Sequence, residues 1–319
     1  MIVTAQRRMS HKDAMAAYVG HAVLEPPAAT VLSSPTDTDP TTVTDADTGA
    51  TVAIITRLPT ARLNTLRWAC TTVGMQAVAR MSGKAGGRTA KRGGGRTFGY
   101  SPRRVVNGRE SCRVALVEVD HPRQHRILME LGGWLTGAFE QMMPDRAQAD
   151  AAIVHRVKPD WLLDENALWT SGVINAQAEL PYHVDGANFH TWSAMPTLRY
   201  GVAGGMLHLP EYDITFPCGD GDVTWFCGRD LVHGVTPMRT RKPNGYRFSV
   251  VYYALQGMLN CADYAEESAK AARIRTERER KIAADAEAGL PRDHAWQTDP
   301  DTIDPMYVSG RPSRKPPTP

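Results

Sequence analysis

Apolar positions recur in two rhythms along this chain, and the change of rhythm divides it. In the first half the spacing is largely helical: Leu63, Leu66, Cys70, Val73 and Ala77 mark one face. Residues 123–143 predict an amphipathic helix, with Ile127, Leu128, Leu131, Trp134, Leu135, Phe139 and Met142 along its apolar stripe. The stretch 51–56 (TVAIIT) reads as a strand, and Val114, Leu116 and Val119 suggest another. From about residue 168 the pattern changes to short apolar runs broken by Gly, Pro and Asn, with candidate strands at 168–175, 205–209, 222–226, 231–235 and 246–255. Helices first and many short strands afterwards predict an α+β chain: a double-stranded β-helix (jelly roll) core buttressed by N-terminal helices.

Three regions depart from both rhythms. Residues 33–49 are rich in Thr, Asp and Pro and read as a linker after a short helical N-terminus. Residues 83–99 contain seven glycines in seventeen positions, too many for a regular element to be expected. Near the C-terminus, 266–287 alternates charges with Ala and predicts a solvated helix, followed by a Pro-rich end, 312–319, expected to be disordered. The expected division is thus an N-terminal extension and linker (1–50), a catalytic domain (51–260, its jelly roll about 168–256) and a charged helix with tail (261–319).

Charge sharpens this picture. The chain carries only +3 overall, but residues 80–109 hold nine basic side chains and no acidic one, leaving −6 for the remainder. A basic segment on an acidic body points to a polyanionic partner. The five cysteines are scattered without a Cys-x-x-Cys pair, so reduced thiols are expected rather than a zinc ribbon or a disulfide framework. Nothing approaches eighteen consecutive apolar residues, so no membrane span is expected and the cytosol is the default compartment.

Candidate chemistry concentrates in the strand-rich half. His183-Val184-Asp185 places two ligand types at i and i+2, which face the same way on an extended chain, and His233 follows after several strands. Two His and one carboxylate form the ligand set of a non-haem Fe(II) site with open positions for O2 and a co-substrate. A second His-x-Asp, His11-Lys12-Asp13, falls in an expected helix, where i and i+2 diverge and do not share a metal. His208 alternates with leucines and faces away from them, and His190 reads as a rim residue. Arg247, on a strand beyond His233, would be a costly buried charge without a carboxylate partner, and Ser249 faces the same way. A 2-oxoglutarate-dependent oxygenase follows from this set.

The motifs 183–188 (HVDGAN), 204–212 (GGMLHLPEY), 221–226 (GDVTWF), 233–237 (HGVTP) and 247–253 (RFSVVYY) resemble the TET/JBP group of Fe(II)/2-oxoglutarate dioxygenases, which hydroxylate the 5-methyl group of pyrimidines in DNA. The resemblance covers residues 168–256 and, lacking the cysteine-rich clusters of animal members, is to a compact, bacterial or phage-like version. It implies His183, Asp185 and His233 as iron ligands, with Arg247 and Ser249 holding the distal carboxylate of 2-oxoglutarate. Asn188 matches a position that touches a flipped base, and Tyr253 matches the aromatic that stacks on it. Where TET enzymes carry a His two residues later, this chain has Leu255. The implied partner is DNA, with 5-methylcytosine favoured over thymine. Arg88, Lys91, Arg92, Arg103 and Arg104 are the expected phosphate contacts, and Arg96 an expected second contact to the co-substrate. The competing reading is a 2-oxoglutarate-dependent hydroxylase of a protein, in the manner of a prolyl hydroxylase, or of a small molecule.

Overall fold

The computed structural model describes residues 1–26, 28–36, 39–77, 83–90, 93–104 and 110–289. In chain order β1 (Ile2–Ala5), α1 (His11–Tyr18), β2 (Thr41–Asp45), β3 (Thr51–Arg57), α2 (Thr60–Thr72) and β4 (Gln76–Ala77) come first. The hairpin strands β5 (Lys84–Ala85) and β6 (Arg88–Thr89), then β7 (Gly94–Ser101) and β8 (Arg113–Val114), lead to the helices α3 (Val117–Asp120), α4 (Pro122–Met142) and α5 (Pro144–Val154). The second half holds β9 (Ser171–Ala176), β10 (Ser193–Tyr200), β11 (Val202–Gly204), β12 (Leu207–Leu209), β13 (Ile214–Phe216), β14 (Asp222–Phe226), β15 (Gly234–Val235), β16 (Met238–Thr240) and β17 (Tyr246–Tyr253). Helix α6 (Tyr264–Glu287) closes the described chain.

Ten strands form the main sheet, ordered β1-β2-β3-β14-β10-β17-β9-β7-β4, with β8 beside β7. All its pairings are antiparallel except β1 with β2. Strand alternation sorts its side chains. Ile54, Phe98, Ile174, Leu198, Val223, Trp225, Phe248, Val250 and Tyr252 face the helices and pack on Leu66 and Cys70 of α2 and on Leu128, Leu131, Leu135 and Phe139 of α4. The opposite face of the sheet packs Val43, Ile55, Met195 and Phe226 against Leu207, Leu209, Ile214 and Phe216 of the three-stranded sheet β13-β12-β15. Two sheets enclosing one interior, with helices outside the larger, make the double-stranded β-helix that the sequence predicts.

Several expectations need correction. The segment read as extension and linker supplies two strands: β2 pairs with β3, and β1 pairs with β2. In β2 burial alternates, with Thr41, Val43 and Asp45 inward and Thr42 and Thr44 half-buried, so β-branched packing outweighs the flanking turn residues. The glycine-rich stretch also contains regular structure, because β7 makes six residue pairs with β9. A ladder supplied by a neighbouring strand overrides local propensity there. Strand β10 was not expected, because Pro196 stands in its middle. Its pairing with β17 skips from Ala194–Tyr252 to Thr197–Ser249, so the missing N–H falls where no pair with β17 forms. Val117–Asp120 is helical rather than extended.

The cysteine expectation fails as well. Cys112 and Cys261 form a disulfide, while Cys70, Cys218 and Cys227 are free and buried. The two partners are 149 residues apart, so no local spacing could signal the bridge. It ties the segment after β7 to the start of α6, where buried Glu267 takes a side-chain contact from Arg103 and backbone N–H bonds from Cys112 and Ala262, the latter two at 2.9 Å. No described helix is long and apolar enough to cross a membrane.

Candidate metal and co-substrate site

His183 and His233 meet across a single antiparallel bridge, not in a regular strand as expected of His183. Each backbone N–H donates to the other residue's carbonyl, at 2.9 and 3.0 Å. That reciprocal pair brings the ring centroids to 4.2 Å. The His183 Nδ1 bonds the Pro181 carbonyl at 2.8 Å and the His233 Nδ1 bonds the Leu231 carbonyl at 2.9 Å. A carbonyl only accepts, so both Nδ1 atoms carry the proton and both Nε2 lone pairs face the site. The Asp185 carboxylate completes it, with Oδ1 3.7 Å from His183 Nε2 and Oδ2 3.9 Å from His233 Nε2. One ligand atom from each of the three residues lies within 4.8 Å of the others, a grouping no other His, Cys, Asp or Glu set matches among the described residues.

Asp185 is held by its backbone N–H to the Gly228 carbonyl at 2.9 Å. A Cβ at Gly228 would stand 2.4 Å from Asp185 Oδ2, so only glycine leaves the carboxylate room. Two imidazole Nε2 atoms and one carboxylate on a single side are a donor set that suits Fe(II). His11-Lys12-Asp13 behaves as its helical setting predicts: His11 opens α1 and its Nδ1 bonds Glu211 at 2.8 Å. His208 bonds the Tyr182 hydroxyl at 2.6 Å, away from the triad, and His190 is an exposed rim residue bonded to Asp230.

Behind the triad, register places side chains facing the interior in layers. Thr197 of β10 sits directly opposite Ser249 of β17, and Arg199 sits opposite Arg247 one layer deeper. Arg247 is completely buried. Its Nη1 lies 3.3 Å from Ser249 Oγ, while Nε and Nη2 have no partner. Those two nitrogens form one edge of the guanidinium, the fork that a carboxylate fills bidentately. Burial depresses the Arg247 guanidinium below its ordinary value, with the Cys218 thiol alongside it and Arg199 adding repulsion. Arg199 itself is occupied by the carbonyls of Pro217, Cys218, Val202 and Gly204. Gly205, at φ +66°, lets the backbone pass the arginine, since a Cβ there would meet Arg247 Cδ at 2.7 Å. The hydroxyls of Thr197 and Thr224 are likewise buried and unpartnered. Unsatisfied buried donors around an unpaired guanidinium fit a small dianion with one carboxylate at Arg247.

The loop after the triad carries Asn188, only 3 % exposed, with both amide atoms unpartnered. Arg229 holds that loop: Nη1 reaches the Gly186 and Asn188 carbonyls, the latter at 2.6 Å, and Nε bonds His190 at 2.8 Å. Asn188 bridges to Leu255. Tyr253 faces the interior but is 2 % exposed, packed with Phe189, Val173 and Leu255.

The basic segment meets the rim. A Cβ at Gly83, just before the β5–β6 hairpin, would come within 2.5 Å of Pro181, two residues before His183. Arg88 lies in β6, and nothing is described of its side chain; Lys91 and Arg92 lie outside the described residues. Arg104 is half-buried beside β7. Arg103 is engaged by Glu267. Arg96, expected at the co-substrate, faces away from the interior. Its register opposite Ile174 turns it to the helical side with Phe98, where it pairs with Asp120.

Thr197, Cys218 and Arg229 were not anticipated. Alternation around Ser193–Tyr200 was the available signal for Thr197, and Pro196 concealed it.

No family model matches this chain, and no curated protein does. Among solved structures, it is similar to NgTET1 in complex with 5mC DNA, at 14% identity and TM-score 0.53, over 84% of this chain and 95% of that one. It is also similar to a 2OG-Fe(II) oxygenase family oxidoreductase from Burkholderia pseudomallei, at 18% identity and TM-score 0.40, over 63% and 88% of the two chains. At such identity the first likeness establishes the shared fold.

Proposed function

We propose that this chain is an Fe(II)- and 2-oxoglutarate-dependent dioxygenase that hydroxylates the 5-methyl group of a pyrimidine in DNA, with 5-methylcytosine the preferred base. One observation carries the oxygenase half: a His183–Asp185–His233 triad, whose His233 ring meets the interior residue Phe226 at 5.0 Å, shares the barrel with a fully buried Arg247 whose carboxylate-binding edge is unpaired. A metallohydrolase would have no use for that second anchor.

In this reading His183, Asp185 and His233 would hold the iron. Bound there, iron with 2-oxoglutarate and O2 supplies the oxidising power to hydroxylate a C–H bond, yielding succinate and CO2. Arg247 and Ser249 fix the distal carboxylate, which orients the reacting end of the co-substrate toward the triad. The apolar lining of Met195, Val251 and Phe226 excludes water.

The DNA half rests on three supports. The likeness in fold is to a protein solved with 5mC DNA. Nine basic residues cluster in 80–109, and Gly83 at the foot of that segment's hairpin abuts Pro181, two residues before His183. Lys84, Arg88 and Arg104, with Lys91 and Arg92 of the same segment, would contact phosphates. Finally, Asn188 offers one free donor and one free acceptor beside the triad, a match for the edge of a base. A stacked base does not reach a barrel interior, so the reading requires flipping, at a few kcal/mol. Tyr253, as a stacking wall, would return about 1–3 kcal/mol.

The test is nucleoside mass spectrometry after incubating the protein, Fe(II), 2-oxoglutarate and ascorbate with matched unmodified and methylated DNA, using His233→Ala as control. One added oxygen on methylcytosine, absent from the variant, is the expected result. Oxidation of thymine instead would move the substrate to thymine. Succinate without any oxidised nucleoside would defeat the DNA half and favour a protein or small-molecule substrate.

A further inference from the structure

We infer that Thr197 is a third contact to the distal carboxylate of the co-substrate, completing the cradle begun by Arg247 and Ser249. The inference rests on the co-substrate half of the proposed function and is independent of the DNA half. Thr197 stands directly opposite Ser249 on the neighbouring strand, facing the interior. It is fully buried, and its hydroxyl has no partner. Its backbone carbonyl accepts from Gly221 at 2.8 Å, so the strand is anchored without the side chain.

The nearby carboxylate does not bond the hydroxyl. Asp222, buried at the start of β14, takes the Gly219 N–H at 2.6 Å, the Ser34 hydroxyl at 2.7 Å and Arg57 at 3.4 Å, and Thr197 Oγ1 is left without a partner. A carboxylate offers about four acceptor sites. The Nε–Nη2 edge of Arg247 fills two of them. Ser249 Oγ, which accepts from Arg247 Nη1, keeps its own proton to donate to a third. Thr197 supplies the fourth. In the absence of ligand, an unpaired buried hydroxyl destabilises the protein, so the residue makes sense by what it binds.

That gives the test two opposed signs. Thr197→Val keeps the shape and removes the hydroxyl. Without co-substrate its melting temperature should rise by about 2 °C. Calorimetric titration of the Fe(II)-loaded protein under argon should then show 2-oxoglutarate affinity weakened about tenfold. Binding of 2-oxobutyrate, which lacks the distal carboxylate, should be unchanged, and Thr197→Ser should restore 2-oxoglutarate binding.

A lowered melting temperature, an equal loss for both acids, or unaltered 2-oxoglutarate affinity would overturn the assignment. Failure of the parent protein to bind 2-oxoglutarate while still binding Fe(II) would instead defeat the co-substrate itself, and this contact with it.

Discussion

Phe248, Val250 and Tyr252 leave strand β17 on one side, and Arg247, Ser249 and Tyr253 leave it on the other. The first three join a helix-backed core in which Phe139 stacks on Trp225 at 5.6 Å and Trp169 packs against Tyr252 at 5.8 Å. Most polar atoms on that side are paired: the Tyr252 hydroxyl donates to the Leu128 carbonyl at 3.0 Å, and the Trp169 indole N–H to the Trp192 carbonyl at 2.8 Å, with Arg96 Nε the exception. Across the sheet, Thr197, Thr224 and Arg247 are equally buried yet keep donors unsatisfied. One face is close to complete without a ligand and the other leaves several donors open. Burial therefore does not separate the packed face from the candidate site here, whereas hydrogen-bond satisfaction largely does.

The largest effect that tests this contrast lies on the helical side. Phe139→Ala removes a side chain buried between Trp225 and Trp192 and should cost about 3–5 kcal/mol of stability, read as a shift of the urea midpoint. In the fraction that stays folded, 2-oxoglutarate affinity should be unchanged. Parallel loss of affinity would break the contrast by showing that the two faces are not independent. A smaller effect sharpens it on the interior side. Arg229→Lys keeps the charge but loses the geometry that grips the Gly186 and Asn188 carbonyls. Under the proposed function, KM for methylated DNA should rise about tenfold, equivalent to about 1.4 kcal/mol, while DNA-independent succinate formation and the melting temperature stay put. A matching fall in the DNA-independent rate would mean that Arg229 supports the Asp185 carboxylate rather than placing Asn188.

The grouping of His183, Asp185 and His233 is legible in the sequence from ligand type and spacing, and the shared interior face of Arg247 and Ser249 from strand alternation. Helix α4 was legible because its apolar face is long and periodic. What escaped was set by tertiary pairing. Strand β7 is held by β9 despite its glycines, and β10 accommodates Pro196 where its pairing with β17 lapses. Cys112 and Cys261 meet only because α6 returns across the fold. Arg96 shows the limit of reading a charge near a site as part of it. One residue of register sends it to the opposite face.

The central claim is that the unsatisfied interior is a co-substrate site feeding the His183–Asp185–His233 metal. Its most direct measurement is succinate formation from 2-oxoglutarate by the purified protein, with and without Fe(II) and with and without methylated DNA. The account requires succinate that depends on iron, rises when the DNA is added, and vanishes in His233→Ala. Iron binding at the triad with no succinate under any of these conditions would contradict it.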